Sequence, residues 1–441
     1  LSSLHIEYLS PERLRPYPGN ARSHSKKQIR QIAKSIERFG FNNPVLISDD
    51  LEVVAGHGRL EAAKLLGMAK VPTVRLSHMS AADRRAYVLA DNRLAELSGW
   101  DRELLAIELQ GLQDLKFEEI EVTGFSLGEI DAILDEATEK KAEPVGPEDE
   151  IPPAREVTVT RNGDLWLLGS HRLLCGDARV GLDYDRLLAG ERADLVLTDP
   201  PFNVPIEGNV SGLGRVRHSN FVMASGEMSE REFTAFLATF LGCSAERSKD
   251  GAILFVFMDW RHVYELIGAG RETGLALKNL VVWSKDNAGM GTFYRSKHEL
   301  VLVFKKGDAA HTNTFELGQY GRHRTNVWEY AGVNTFRSGR IDELAMHPTV
   351  KPTALVVDAI RDVTRRGEIV LDPFAGSGTT IIAAEKTGRI GRGIEFDAMY
   401  CDVIVRRWQQ YTGKFARLEA TGQTFEDTEA ERLPACSHQE A

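Results

Sequence analysis

The run Ala193-Asp-Leu-Val-Leu-Thr-Asp-Pro-Pro-Phe202 ends in four residues with chemistry in them. Asp199 supplies a carboxylate and Phe202 an aromatic face, while Pro200 and Pro201 remove two backbone donors and fix φ. Each residue ahead of a proline is driven towards an extended conformation. A carboxylate, stiff carbonyls and a ring held together suit one task, gripping an amino group on a flat heterocycle. Alone, the tetrapeptide serves equally well as a plain strand-to-loop turn.

A second stretch raises its significance. Ile369-Val-Leu-Asp-Pro-Phe-Ala-Gly-Ser-Gly-Thr-Thr380 reads as an apolar strand, a turn carrying Gly376 and Gly378, and the start of a helix over Ile381–Lys386. After a further strand, Gly391-Arg-Gly-Ile394, comes Glu395, 19 residues beyond Gly376. That is close to the roughly 20 residues at which an acidic side chain meets a ribose hydroxyl in Rossmann-type sites. The dinucleotide pattern is not met, because position 381 is Ile, and no Gly-Lys-Ser/Thr phosphate loop exists. A close backbone approach and an acidic hydroxyl clamp, without a phosphate cradle, suit a nucleoside bearing no phosphate, of which S-adenosylmethionine is the obvious example.

Leu195, Val196 and Leu197 predict a short buried parallel strand, so Asp199 should sit at its carboxyl end, where open α/β sheets keep their ligand crevices. Leu165–Leu168 and Arg172–Cys175 predict a hairpin around Gly169-Ser-His171, with Asp177 just past it; Val157-Thr-Val-Thr160 reads as a β-rich start. Helices are expected over Glu230–Leu241 and Trp260–Gly270, and strands at Ala252–Phe257, Leu280–Trp283 and Leu300–Phe304. The glycine-rich segment between Pro205 and Gly226 holds Arg215, Arg217 and His218; it reads as a lid or binding loop, or as a passive insertion. Residues 285–340 carry nine Lys/Arg against five Asp/Glu, in a chain whose net charge is −10. There Lys285, Arg295, Arg322, Arg324, Arg337 and Arg340 mix with Tyr320, Trp328, Tyr330 and Phe336, which suits phosphates and base edges. A solvated basic face is the plainer alternative.

Ahead of this lies a different region. Ile29, Ile32, Ala33 and Ile36 follow helical spacing, and Gly40 stops the helix. Strands are expected at Pro44–Ser48, Glu52–Ala55 and Val71–Leu76, with Gly56-His-Gly-Arg59 opening a helix through Leu66. A strand feeding a glycine turn at a helix start is an anion site, to which His57 and Arg59 add charge; a bare tight turn explains the glycines as well. Ser80–Asp83 and Ser126–Glu129 have capping-box form. From Asp135 to Glu156 acidic residues and four prolines predict an extended tether.

The 441 residues allow two or three domains, and 42% hydrophobic with 27% charged is ordinary for a soluble protein. Four cysteines without CxxC spacing suggest neither zinc nor a disulfide framework and fit a reducing cytosol. The first residues lack a signal-peptide core, and no run approaches the roughly 20 apolar residues of a membrane span.

Two resemblances follow from these motifs. Asp-Pro-Pro-Phe followed later by Asp-Pro-Phe-Ala-Gly-Ser-Gly-Thr-Thr, with His347-Pro-Thr-Val-Lys-Pro352, Trp283, Lys285 and His298-Glu299, resembles the amino-group DNA methyltransferases in their permuted β-class order. Asn20-Ala-Arg22, the Ile29–Phe39 helix, Gly56-His-Gly-Arg-Leu-Glu-Ala-Ala and Val71-Pro resemble the ParB-type amino-terminal domain. In that family Asn-x-Arg and Gly-x-x-Arg line a pocket for a nucleotide phosphate or DNA, so Arg22, Gly56, His57 and Arg59 form the implied ligand site. Asp91-Asn92 keeps a third family element, but Ala95 stands where its arginine would be, which argues against nucleotide hydrolysis.

The resemblance implies an α/β, Rossmann-like S-adenosylmethionine-dependent methyltransferase fold with a mostly parallel sheet, preceded by a small α+β domain. The expected boundaries are 1–134 for the ParB-like domain, 135–156 for the linker, 157–415 for the methyltransferase with target recognition at about 285–345, and 416–441 for a flexible tail. It implies that Asp177 faces the cofactor's adenine and Glu395 its ribose. Phe374, Gly376 and Gly378 wrap the methionine end, Asp372 belongs to the same loop, and Lys351 lies near the cofactor's carboxylate or starts a helix. It further implies double-stranded DNA as substrate, a lean towards a homodimer, a cytoplasmic bacterial or phage-encoded protein, and no need for a metal or membrane.

The chemistry stands beside the resemblance. An exocyclic amine is a poor nucleophile because its lone pair is delocalised into the ring. Hydrogen bonds to the Asp199 carboxylate and Pro200 carbonyl favour a tetrahedral nitrogen and free that pair, Pro201 stiffens the turn, and Phe202 stacks on a base flipped from the duplex. In the family an Asp at the first position goes more often with N6-adenine and a Ser with N4-cytosine, so adenine is the expected target and N4-cytosine the alternative. A partition-like DNA-binding adaptor with an inactive methylase domain, and methylation of RNA or a small molecule, are the rivals of other kinds.

Overall fold

A computed structural model describes residues 5–97, 99–115, 117, 119–139, 147–155, 157–204, 226–285, 294–314, 324–330 and 350–433. The chain divides into two compact units, Leu1–Lys141 and Ala142–Ala441.

The first unit carries β1 (Ile6–Leu9), β2 (Arg15–Pro16), β3 (Val45–Ile47), β4 (Glu52–Ala55) and β5 (Val71–Arg75) in the order β1-β5-β3-β4-β2. Helix α1 (Lys26–Phe39) starts where the Ser25 hydroxyl accepts the Gln28 N–H at 3.1 Å, and it stops at Gly40, whose φ is 87°. Helix α2 (His57–Leu65) buries Leu60 and Ala63 against Val45, Ile47, Val53 and Val71. Helix α3 (Ala81–Leu97) follows β5. Helices α4 (Arg102–Asp114) and α5 (Leu127–Glu139) share a separate core of Ala106, Leu109, Ile120, Ile130 and Ile133. Gly124 at φ 98° turns the chain into α5, and Ser126 and Glu129 close the capping box expected there.

Among its described residues the second unit has ten strands: β6 (Leu165–Leu168), β7 (His171–Cys175), β8 (Ala193–Thr198), β9 (Ser248–Met258), β10 (Ala276–Ser284), β11 (His298–Lys305), β12 (Val327–Glu329), β13 (Ile369–Asp372), β14 (Ile390–Glu395) and β15 (Arg417–Leu418). They form one sheet ordered β12-β10-β11-β9-β8-β13-β14-β7-β6-β15. The five central strands, β9-β8-β13-β14-β7, are mutually parallel. The helices are α6 (Gly181–Leu188), α7 (Glu230–Glu246), α8 (Val263–Glu272), α9 (Thr353–Val363), α10 (Thr379–Thr387), α11 (Ala398–Thr412) and α12 (Phe425–Arg432).

Alternation along β8 sorts the helices into two layers. Val196 faces a core with Tyr184 and Leu187 of α6, Phe233, Phe236 and Phe240 of α7, and Leu266 of α8. Leu195 and Leu197 face the opposite core, with Leu355, Val356 and Ile360 of α9 and Ala383 of α10. Both sides of the strand are therefore covered, which is why it reads as an unbroken apolar run.

Three expectations need correcting. Residues 416–433 are no tail: Ala416, Leu418 and Phe425 are buried with Trp166 and Trp408, and burial of such a ring contributes about 1.5–3 kcal/mol. The acidic stretch is no free tether at Glu148–Glu150. Glu148 pairs with Lys386 and its carbonyl accepts from Arg407 at 2.6 Å, while Asp149 accepts the Thr353 N–H at 3.3 Å and Glu150 accepts from Gln410 at 2.9 Å. Val157–Thr160 is not a strand; the N–H groups of Val159 and Thr160 donate to the Asp402 carboxylate at 2.7 and 2.9 Å.

Candidate active site

The parallel register sets four carboxylates along one edge of the sheet. Asp177 lies just beyond β7, Glu395 ends β14, Asp372 ends β13, and Asp199 follows β8. The chain leaves β8 through α7 towards β9 and leaves β13 through α10 towards β14, on opposite faces, so a crevice opens between β8 and β13. Thr198 Oγ1 donates to Asp372 Oδ1 at 2.8 Å and ties the two strand ends together.

Asp199 follows Thr198 with its side chain 21% exposed. Its two oxygens differ. Oδ2 accepts from Lys351 Nζ at 2.6 Å, while Oδ1 is buried and has no hydrogen-bond partner among the described residues. Such an orphaned buried acceptor calls for an explanation, and an unbound donor is a direct one. Burial pushes the Asp199 carboxyl up to about 6; Lys351 pulls it back and the Glu299 charge adds to the rise. Pro200 is buried, and Phe202 packs partly buried between the cores on the two sides of the sheet.

Sequence reasoning missed Asn203. It adopts φ 52° and is buried, its amide donates to the Met228 carbonyl at 2.8 Å, and its carbonyl accepts the N–H groups of Gly226 and Met228 at 3.1 and 3.2 Å. It thereby joins the two ends of the segment that leaves after Phe202. The one signal in the sequence is its type, since Asn tolerates positive φ better than most residues.

The glycine turn follows β13. Gly376 and Gly378 have φ of 54° and 81°, and a Cβ on Gly378 would lie 2.9 Å from Ile404 of α11. Asp372 braces this turn: Oδ1 also accepts the Phe374 N–H at 3.1 Å and Oδ2 accepts from Thr380 at 2.6 Å, while burial raises its carboxyl to about 7. Phe374 packs edge-on against Phe240 at 5.1 Å. Glu395 accepts the Gly376 N–H at 2.7 Å and the Asp397 N–H at 2.9 Å; burial raises it to about 7 despite both bonds. Asp177 forms a two-pronged pair with Arg179 at 2.7 Å; burial raises its carboxyl, but these contacts outweigh that and hold it below the usual range.

The basic residues singled out in the sequence have the following surroundings. Lys351, for which the resemblance implied a place near the cofactor's carboxylate or at a helix start, lies just ahead of α9 and bridges Asp199 and Glu299, at 2.6 and 2.9 Å. Lys285 pairs with Glu299 and lies over the Trp283 ring at 4.6 Å. Arg324 is engaged by Asp362 at 2.9 Å, Asp358 at 3.6 Å and the Tyr330 hydroxyl at 3.0 Å, so it braces α9 rather than offering a ready phosphate contact. Arg295 is exposed beside β11, and Arg215, Arg217, Arg322, Arg337 and Arg340 lie outside the described residues.

In the first unit, Gly56 is left-handed at φ 96° ahead of α2, which brings His57 and Arg59 to the turn. Arg22 donates to Asn92 Oδ1 at 3.2 Å, Asn20 accepts the Arg22 N–H at 3.2 Å, and His57 Nε2 accepts the Tyr17 N–H at 3.3 Å. Burial, then the His24 charge, lowers the His57 imidazole below its ordinary value.

Residues 193–406 match the DNA methylase family model, residues 1–93 the ParB N-terminal domain, and residues 103–162 the ParB-methyltransferase HTH domain. The chain joins a ParB-type domain to an N6/N4-type DNA methylase. The ParB-methyltransferase match covers α4 and α5 and went unrecognised in the sequence. The ParB-like nuclease domain-containing protein YnaK of Escherichia coli is 47% identical over 77 residues, 18% of this chain and 88% of that protein. Type II methyltransferase M.HpaI of Haemophilus parainfluenzae is 25% identical over 252 residues, 54% of this chain and 73% of that one. Among solved structures, the M1.HpyAVI–SAM complex aligns with 53% of this chain and 97% of that one at TM-score 0.40 and 21% identity. The cytosine-N4-specific PvuII DNA methyltransferase aligns with 59% of this chain and 97% of that one, at TM-score 0.40 and 15% identity.

Proposed function

We propose that this DNA methyltransferase transfers a methyl group from S-adenosylmethionine to the exocyclic N6 of an adenine flipped out of double-stranded DNA. The observation that carries the reading is the orphaned Asp199 Oδ1, a buried acceptor at the carboxyl end of β8 beside the Phe202 ring. The amine donates to Oδ1 and to the Pro200 carbonyl, Phe202 stacks on the base, and the proton shed by nitrogen leaves along the bond to Asp199. Asp199, raised by burial, is a better proton acceptor than a solvent-exposed carboxylate.

The cofactor fits the second strand end. The left-handed glycines give backbone access, Glu395 is a half-buried acceptor for ribose hydroxyls, and Asp177 offers a carboxylate for an adenine amine. When bound, the sulfonium supplies the electrophilic methyl. Phe374 and the turn at Gly376 and Gly378 hold the methionine end against α11.

Incubating the protein with methyl-labelled cofactor and DNA, then digesting to nucleosides, tests this. Label in N6-methyladenine is the expected result. Label only in N4-methylcytosine overturns the choice of base, and no label in DNA overturns the activity.

A further inference from the structure

The groups behind Asp199 form a chain of alternating charge. Lys351 Nζ lies 2.6 Å from Asp199 Oδ2 and 2.9 Å from Glu299 Oε2, and Glu299 is paired in turn with Lys285. Lys351 has only 7% of its side chain exposed. Three rings wall its ammonium: Phe257 at 4.9 Å, Phe202 at 5.7 Å and Trp283 at 5.8 Å. An ammonium enclosed by two carboxylates and three aromatic faces has little left to offer a ligand.

We propose that Lys351 is a positioning residue for methyl transfer, clamping Asp199 through Oδ2 so that Oδ1 alone faces the target amine, with Glu299 and Lys285 setting the strength of the clamp. The inference rests on the transfer reading above. It explains why the two Asp199 oxygens differ, and why the same ammonium touches the ring proposed to stack on the base. It also gives the residues of the Trp283–Lys285 strand end and His298-Glu299 a purpose that DNA contact does not.

Among the described residues four charged groups act on Asp199: Lys351 just before α9, Glu299 from β11, Lys285 just past β10 and Asp372 from β13. Their signs make opposite predictions. Replacing Lys351 by Met removes the nearest positive charge and leaves Asp199 facing Glu299 and Asp372, so its titration moves to higher pH. Replacing Glu299 by Gln removes a negative charge while keeping the shape, so the titration moves to lower pH.

The test follows single-turnover methyl transfer from pH 5 to 9 in the full chain, with Asp199 read separately by carboxyl NMR of Asp-labelled protein and assigned with Asp199→Asn. Lys351→Met should move the acid limb up by about 1–3 pH units and lower the rate at neutral pH. Lys351→Arg should restore part of the rate, and Glu299→Gln should move the limb down. If neither substitution moves the carboxyl titration while the wild type still methylates DNA, the clamp is overturned and the activity stands. If the titrations shift in opposite directions while the wild type transfers no methyl, the clamp stands and the activity falls. A poorly folding Lys351→Met leaves the isosteric Glu299→Gln to decide, and an unshifted titration there overturns the clamp.

Discussion

The two units repeat one local device with opposite charge. In each, a strand runs into a left-handed glycine that forms the N-cap of a nine-residue helix: Gly56 at φ 96° before α2, and Gly378 at φ 81° before α10. Neither helix has a side-chain cap, so both leave N–H groups at a positive helix end. Beside Gly56 the Arg59 guanidinium lies close enough to meet an added Cβ, and His57, its imidazole lowered by burial, opens the helix, a pairing that suits an anion. Beside Gly378 stand Asp372 and Glu395, which would repel a phosphate and suit hydroxyl groups. The glycine turn fixes how closely a ligand approaches the backbone, and the flanking charges decide which ligand it is.

The largest effect expected lies at the far side of that acidic crevice. If Asp199 grips the amine and the glycine turn holds the cofactor, the two tasks should separate on mutation. Asp199→Ala should cut methyl transfer by about 10²–10³-fold or more while cofactor binding by calorimetry changes little. Asp199→Asn, which keeps an acceptor oxygen, should retain more activity than the alanine variant. A loss of cofactor affinity equal to the loss of rate would mean that the two strand ends do not divide the work.

Glu395 tests the acidic character itself. Burial raises its folded value to about 7, with the Asp397 and Gly376 N–H groups opposing the rise. For a raised acid, the stability contribution is full below the unfolded value near 4.5 and is lost as pH rises through about 7. The free protein should therefore lose Tm between pH 5 and 8, and Glu395→Gln should flatten the fall. Cofactor affinity should run the other way, because ribose hydroxyls donate to the ionised form. It should strengthen as pH passes 7, and Glu395→Gln should weaken it about 10-fold or more and remove the pH dependence. Affinity independent of pH in the wild type would detach Glu395 from the ribose.

How far these arrangements were legible depended on how local their cause was. Leu195–Leu197 ahead of two prolines places Asp199 at a strand end, since an apolar run and a φ-fixing residue act over a few positions. The Lys351–Asp199 pair spans 152 residues, and no pattern in either segment announces it. Arg324 counted as a free cation in a basic window because its partners, Asp358 and Asp362, lie on a helix outside that window. The 416–441 stretch looked solvent-borne because Phe425 stands among acids, yet Thr424 and Asp427 form a capping box that marks an ordered helix start.

The smallest effect should come from adding one methyl group at each glycine turn. Both backbones are left-handed, so alanine strains each by about 1 kcal/mol. The space around them differs. At Gly378 the new Cβ would meet Ile404 at 2.9 Å, and Ile404 is buried in the core with Trp408, so the packing must shift as well. At Gly56 it would meet Arg59 Nη2 at 2.9 Å, the far end of a flexible side chain that can swing aside. Gly378→Ala should therefore lower Tm more than Gly56→Ala and weaken cofactor binding, while Gly56→Ala should cost little beyond backbone strain. Moving Arg59 out of place should still weaken inorganic phosphate binding at the amino-terminal turn, if that turn is an anion site. Equal losses of Tm in the two variants would show that backbone strain alone governs both turns and that the packing of Ile404 adds nothing.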